Sequence, residues 1–490
     1  MIAVRAGHLS QVYRIISKPK DKLKECTSRR GEAPIPRHDD GVTSKDRSET
    51  CRLSAVALLL IFVVAVLVRG VALSRFHQGA LLEDIKAYDA LGWGIAATGE
   101  MKTLSRPVGF PLFLALIYSL FGHSPVGAAM ALGFLNALSV PVLAWATAVV
   151  AGHRRGWWAG LLYALYPGVA YHSVVLGSDG FAATLFALVL AAAFLLLRNQ
   201  GLSLAFAAGF VCGWLSLVRT PLGAVGPFVG LGLFGYGRRR AAVALVVASL
   251  ILPLLWAAQT KRTFGSWTIG DSNAGFNLYV GNNPEAIGRF VVPTAISTHR
   301  FVDEFQRDAF YRRTALEWIF TNPVRFGQLM FLRLGFLMTS EHKDIIFLYS
   351  RGWLGERGAV EMRTILAVYF LGWLLLVPLA LYGAVACWRE CSVRIALLAV
   401  VGGVIMYLIS LGDSRFHIPL VPGVIVVAAW GATTGATLKA LGTVRTAVLA
   451  ALLLLFFANE AIDVIDSWPV FKQVTSPGGS SIYYAYQELR

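Results

Sequence analysis

Apolar stretches of roughly membrane-spanning length recur along this chain, and no other feature limits its fold as severely. They fall at 53–68, 126–150, 157–177, 180–197, 202–218, 221–236, 241–258, 363–386, 394–411, 418–437 and 445–458. A straight membrane helix needs about 20 such residues. The shorter stretches therefore mark crossings without fixing their ends. In lipid every backbone polar group must find an internal partner, which restricts such stretches to helices. The composition points the same way, with 56% hydrophobic and 15% charged residues, where a soluble domain carries about 25% charged residues. A soluble enzyme and a disordered chain are both excluded. The expected fold is all-α, a polytopic membrane protein with eleven transmembrane helices.

Charge sets the orientation. The net charge of +16 would suggest nucleic acid in a soluble protein, but here it collects in turns between apolar stretches. His153-Arg154-Arg155, Arg198, Arg238-Arg239-Arg240, Arg389 to Arg394 and Lys439 to Arg445 are all basic. Basic loops stay on the cytosolic side. With these turns inside, the N-terminus is cytosolic, the C-terminus is outside, and no nucleic-acid partner is needed. Residues 1–52 hold twelve Lys/Arg against seven Asp/Glu and read as a disordered cytosolic tail, not a cleaved signal peptide. Arg69, near the end of the first span, is expected to reach the interface. Residues 53–458 form the membrane domain, with outer segments at 75–125 and 259–362 and an outer tail at 459–490. Phe110–Phe121 and Phe326–Met338 are expected to be interfacial helices. Phe301–Phe320 is amphipathic and stops at Asn322-Pro323. The five cysteines lie away from the outer segments, which argues against a disulfide framework, and Cys387-x3-Cys391 lacks a zinc spacing.

Ionisable residues at span ends outside the basic turns share the outer face. Glu83 and Asp84 follow the first span; they are either acids at a helix N-terminus or a general base. Arg106-Pro107-Val108-Gly109-Phe110-Pro111 is a stiff turn whose guanidinium suits a phosphate. Asp179 either caps the helix that follows it or points a carboxylate into a cavity. Gly270 to Arg289, with Asn282, Asn283 and Glu285 near Tyr279, reads as a sugar surface or as ordinary turn chemistry. Gly412-Asp413-Ser414-Arg415 is a tight turn that places an arginine at the depth of a lipid phosphate, with His417 two residues on. There is no H-E-x-x-H and no P-loop, which argues against catalytic zinc and a nucleotide-driven pump.

Taken in order, these segments resemble the GT-C type of integral-membrane glycosyltransferase, in the bacterial branch related to protein O-mannosyltransferases and lipid A aminoarabinose transferases. The matching pieces are Asp84-x3-Tyr88, the Arg106 turn, Tyr166-Pro167, Gly177-Ser178-Asp179, and Leu217-Val218-Arg219-Thr220-Pro221. Tyr279-Val-Gly-Asn-Asn-Pro-Glu285 and Arg415-Phe-His-Ile-Pro419 complete the set. Val108 and Phe110 depart from the family's Pro-Pro-Gly-Tyr-Pro, and Asp179 stands where many relatives have Glu.

The resemblance implies transfer of a sugar from a polyprenyl-phosphate carrier at the outer face of the plasma membrane. The acceptor would be a lipid, a glycan or a protein. It implies Asp84 as the base, with Glu83 second. Arg415, Arg219, Arg106 and Arg333 would steady the leaving phosphate, and Tyr88, Asp179, Asn282, Asn283, Glu285 and His417 would bind substrate. No cofactor is implied with certainty; a divalent metal stays open, and no residue is assigned as its ligand. The alternative function is a transporter or flippase for a lipid-linked or small anionic substrate.

Overall fold

The structure is a computed structural model that describes residues 53–74, 83–294, 301, 303–350, 354 and 357–476. The tail 1–52 lies outside the described residues, as does the stretch from 477 to 490. Among the described residues all regular structure is helical. In chain order the helices are α1 (Ala55–Ser74), α2 (Glu83–Thr98), α3 (Gly109–Phe121), α4 (Pro125–Ala151), α5 (His153–Leu165), α6 (Pro167–His172), α7 (Ser178–Arg198), α8 (Leu202–Val218), α9 (Val225–Gly235), α10 (Arg239–Phe264), α11 (Ala274–Gly281), α12 (Glu304–Thr321), α13 (Pro323–Leu337), α14 (His342–Ser350), α15 (Ala359–Ala386), α16 (Cys391–Ile409), α17 (Val421–Thr433), α18 (Leu438–Leu441) and α19 (Thr443–Val474). Two 3-10 helices, Thr220–Ala224 and Ser414–Leu420, lead into α9 and α17.

Helix occurs at each of the eleven apolar stretches. Eight segments are long and apolar enough to cross a membrane, counting Ser414–Thr433 as one; α8 and Thr220–Gly235 are shorter. The chain is thus an all-α polytopic membrane protein. α7 and Ser414–Thr433 are the most buried of the long segments. They form the centre of the bundle, and their N-terminal ends carry Asp179 and Arg415.

The stretch 157–177 is not one helix, and proline gives the reason. Tyr166 is extended (φ −63°, ψ 117°) before Pro167, and the chain restarts as α6 and then turns before α7. Pro167 has no N–H, so the carbonyl of Tyr163 loses its helical donor. Arg69 takes up the freed acceptors. Its Nη1 donates to Ala164 O at 2.7 Å and its Nη2 to Tyr163 O at 3.3 Å. Its Nε and Nη2 also reach Asn136 Oδ1, at 3.1 and 2.9 Å. This corrects the expectation for Arg69: it is buried among α1, α4 and α5, not extended to the interface.

The amphipathic helix begins one turn later than expected. Asp303 caps α12 by accepting from the Phe305 N–H at 3.0 Å, and Asn322-Pro323 ends it. The two expected interfacial helices are α3 and α13. α3 exposes Leu112, Leu116, Leu120 and Phe121 and docks its other face through Gly109. A Cβ on Gly109 would lie 2.6 Å from the Leu217 carbonyl carbon. α19 runs on past residue 458 to Val474, so the beginning of the expected 459–490 tail is helical.

α15 and α17 cross backbone to backbone. A Cβ on Gly383 would sit 2.2 Å from Val427 O, and one on Gly431 would sit 2.0 Å from Leu379 O. Small residues let membrane helices approach this closely. Gly383→Ala should therefore cost about 1–3 kcal/mol by overpacking, read as a lower melting temperature in detergent. Gly94→Ala, where no atom lies within 4 Å, should not lower it.

Candidate functional site

Five of the expected residues converge at one end of the bundle, from five different segments. Asp84 is in the first turn of α2, and Arg106 is on the turn before α3. Asp179 opens α7, Arg219 follows α8, and Arg415 sits in the 3-10 helix before α17. Local chemistry fixes each segment. The Arg106 loop is stitched by Glu304, which accepts from Leu104 N at 3.0 Å and Thr103 Oγ1 at 2.9 Å. Asn273 Nδ2 donates to Ser105 O at 2.7 Å. Gly109 packs against the Leu217 backbone and so brings the Arg106 turn beside Arg219. Asp413 accepts from the Arg415 N–H at 3.0 Å and starts the 3-10 turn.

Asp179 is the interior anchor. Its Oδ2 accepts from Arg415 Nε at 2.7 Å, and its Oδ1 pairs with Arg219. Gly177, not Asp179, is the N-cap of α7, so the capping role is not the one the carboxylate plays. Arg219 also lies 5.2 Å from the Phe416 ring centre, and Phe416 stacks on Tyr407. Asp84 is the accessible member. Its side chain is 49% exposed, against 1% for Asp179. Asp84 Oδ1 is 2.5 Å from Arg106 Nη2, and its Oδ2 is 4.0 Å from Arg415 Nη1. Burial pushes the Asp84 carboxyl up, but Arg415, Arg106 and Arg219 together hold it below the ordinary aspartate value. Tyr88 packs its ring edge-on against Phe110 and donates to Ser178 Oγ at 3.4 Å. Three guanidinium groups thus surround the two carboxylates Asp84 and Asp179. Of these two carboxylates, Asp84 remains within reach of solvent.

The other expected residues are elsewhere. Glu83 begins α2, but its side chain lies outside the described residues. Arg333 is fully buried and donates to Leu408 O (2.7 Å), Ile409 O (2.9 Å), Gly281 O (2.5 Å) and Asn282 Oδ1 (3.0 Å). Arg333 thus differs from the expected phosphate arginines in bonding to main-chain carbonyls and an amide, with no ion pair to Asp84 or Asp179 among the described residues. Asn282 and Asn283 spend their amides on Leu278, Ile409, Tyr279 and Val280 carbonyls. Glu285 accepts from Thr294. Of the two readings of this stretch, turn chemistry accounts for these bonds. His417 is turned inward: Nδ1 meets Leu337 O at 2.8 Å, Nε2 meets Glu341 Oε1 at 3.0 Å, and Trp373 stacks 4.0 Å away.

Several ionisable groups near the cluster went unnoticed in the sequence. Asp271, beside Arg106, has its carboxyl pushed up to about 6 by burial. Glu341 and Asp344 are buried next to His417 and His172. They sit in a short polar run of the expected outer segment, and nothing in that run signals burial. Among the described residues no group of three or more His, Cys, Asp or Glu is placed to hold a metal ion.

Solved structures of similar shape exist. The chain aligns with ArnT from Cupriavidus metallidurans bound to undecaprenyl phosphate, at 15% identity and a TM-score of 0.49, over 86% of this chain and 65% of that one. The apo state of that protein gives 14% identity and 0.47, over 85% and 64%. Archaeal oligosaccharyltransferase AglB from Archaeoglobus fulgidus, in complex with an inhibitory peptide and a dolichol-phosphate, gives 12% and 0.42, over 87% and 60%. The chain therefore spans just under two thirds of the length of these proteins. No family model and no curated protein matches it.

Breaking a buried ion pair from one side leaves an uncompensated charge and costs about 3–5 kcal/mol. Asp179→Asn should therefore lower the melting temperature markedly. Asp84→Asn removes a half-exposed partner, worth about 0–1 kcal/mol, and should melt close to the parent protein.

Proposed function

We propose that the chain is a glycosyltransferase that moves a sugar from a polyprenyl-phosphate carrier to a lipid, glycan or protein acceptor on the outer side of the membrane. The observation that carries this reading is the half-exposed Asp84 carboxylate set among Arg106, Arg415 and Arg219. A base and an anion site next to each other suit displacement at a carbon that bears a phosphate leaving group. The basic turns at the opposite ends of the spans support the orientation.

In this reading Asp84 removes the proton from the acceptor hydroxyl or amine. The acceptor attacks the anomeric carbon, and the bond to the carrier oxygen breaks. Negative charge then develops on the carrier phosphate, where arginines can meet it bidentately. Arg106 and Arg415 have a double task. Without donor they hold the Asp84 carboxylate and make it a weak base. A bound phosphate competes for both guanidinium groups, and Asp84 regains basicity as they leave it. Arg219, paired with buried Asp179, keeps the phosphate site positive.

Asp84→Asn, folded as judged by its melting temperature, should lose transfer; unchanged turnover would overturn the assignment. Mass spectrometry of the purified protein for a bound polyprenyl-phosphate sugar tests the donor class. The pH dependence tests the exchange of arginines. A carboxyl whose pKa is depressed stays ionised until the pH falls through that lowered value. The acid limb of kcat/KM, which reports the free enzyme, should then lie below the ordinary aspartate value of about 4. The acid limb of kcat, with phosphate holding the arginines, should lie higher. Coincident limbs would count against the exchange.

A further inference from the structure

Between α13 and α14 runs a polar segment that is almost wholly inside the protein. Thr339, Ser340, Glu341, His342 and Asp344 are each 4% exposed or less. Burying two carboxylates within four residues is costly unless each is paired. Each is paired with an imidazole. Glu341 Oε1 lies 3.0 Å from His417 Nε2 and also accepts from the Tyr166 hydroxyl. Asp344 Oδ2 lies 2.9 Å from His172 Nε2.

One imidazole stands on, and the other packs against, the two turns that carry the interior ion pair of the site. His417 is two residues from Arg415 in the same 3-10 helix, its ring flat against Trp373 (6° between planes). His172 is in backbone contact with the first turn of α7: a Cβ on Gly180, the residue after Asp179, would lie 2.2 Å from His172 O. Asp344 is also close enough to Arg415 to act on its charge. The segment is fixed from behind by α19. His342 meets Ser467 Oγ at 3.2 Å, and Lys343 pairs with Asp463.

We infer that Glu341 and Asp344 are positioning residues. Acting through His417 and His172, they hold the two turns at the spacing that keeps Arg415 on Asp179 and aimed at the phosphate. This rests on the proposed transferase reading for its purpose, but the geometry it describes can be tested without substrate.

The test uses the full-length protein in detergent, with phenylglyoxal labelling of arginines mapped by mass spectrometry. In Glu341→Gln and Asp344→Asn, which keep shape and remove charge, Arg415 should label several-fold faster than in the parent, with Arg106 unchanged. His417→Asn and His172→Asn should give the same increase, and Asp344→Asn combined with His172→Asn should give no more than either alone. Where a carboxylate variant does not fold, its histidine partner variant supplies the reading. Arg415 labelling at the parent rate in the folded variants would overturn the inference. Transfer, assayed in parallel, should fall between about 10- and 100-fold, as expected for a misplaced reacting group. A parent protein that transfers no sugar, with faster Arg415 labelling in the variants, would sink the transferase reading and keep the clamp. Normal transfer with unchanged labelling would do the reverse.

Discussion

The site hangs on one buried ion pair, Asp179 with Arg415 at 2.7 Å. The two residues begin the two most buried long segments of the bundle. Placing a carboxylate at a helix N-terminus is favourable, and placing an arginine there is not. The pair resolves that conflict by letting the acid of one helix neutralise the base of the other. Arg219 adds a second cation to the same carboxylate. Asp84, which shares Arg415 with Asp179, is by contrast half open to solvent. Two aspartates on the same arginine thus differ sharply in burial, 49% against 1% exposed.

Much of this was legible in the sequence. Hydropathy located the membrane-length helices, because a bilayer demands uniformly apolar stretches whatever their packing. The members of the cluster were legible because acids and arginines at span ends cannot be hidden in lipid. What hydropathy could not supply was where helices break. Tyr166-Pro167 splits one stretch in two, and the carbonyls it frees draw Arg69 inward. Nor could polarity alone separate a solvated loop from a buried one. Asn282, Asn283 and Arg333 look like binding groups by type, but they bond to main-chain oxygens of their own fold. Glu341 and Asp344 look like loop residues, yet they are interior. Their burial depends on histidines some 75 and 170 positions away, which no local pattern reveals.

The polar interior is arranged in layers of decreasing access. Asp84 and Arg106 are partly solvated, Arg219 and Asp179 are nearly enclosed, and the Glu341 and Asp344 pairs are sealed. Each carboxylate named here has a cationic or imidazole neighbour, which lowers the cost of burying it.

Arg333 gives this layering a mechanical meaning. Its donors join α13 to the carbonyls of Leu408 and Ile409 and to the end of α11. The neighbouring Gly412 backbone packs so tightly on Arg333 that a Cβ there would lie 2.6 Å from the Arg333 Cα. α13 and the turn that leads into Arg415 are therefore packed so closely that only a glycine fits between them. By contrast, the Asp84–Arg106 pair that joins α2 to the turn before α3 stands partly open to solvent, with side chains 49% and 27% exposed.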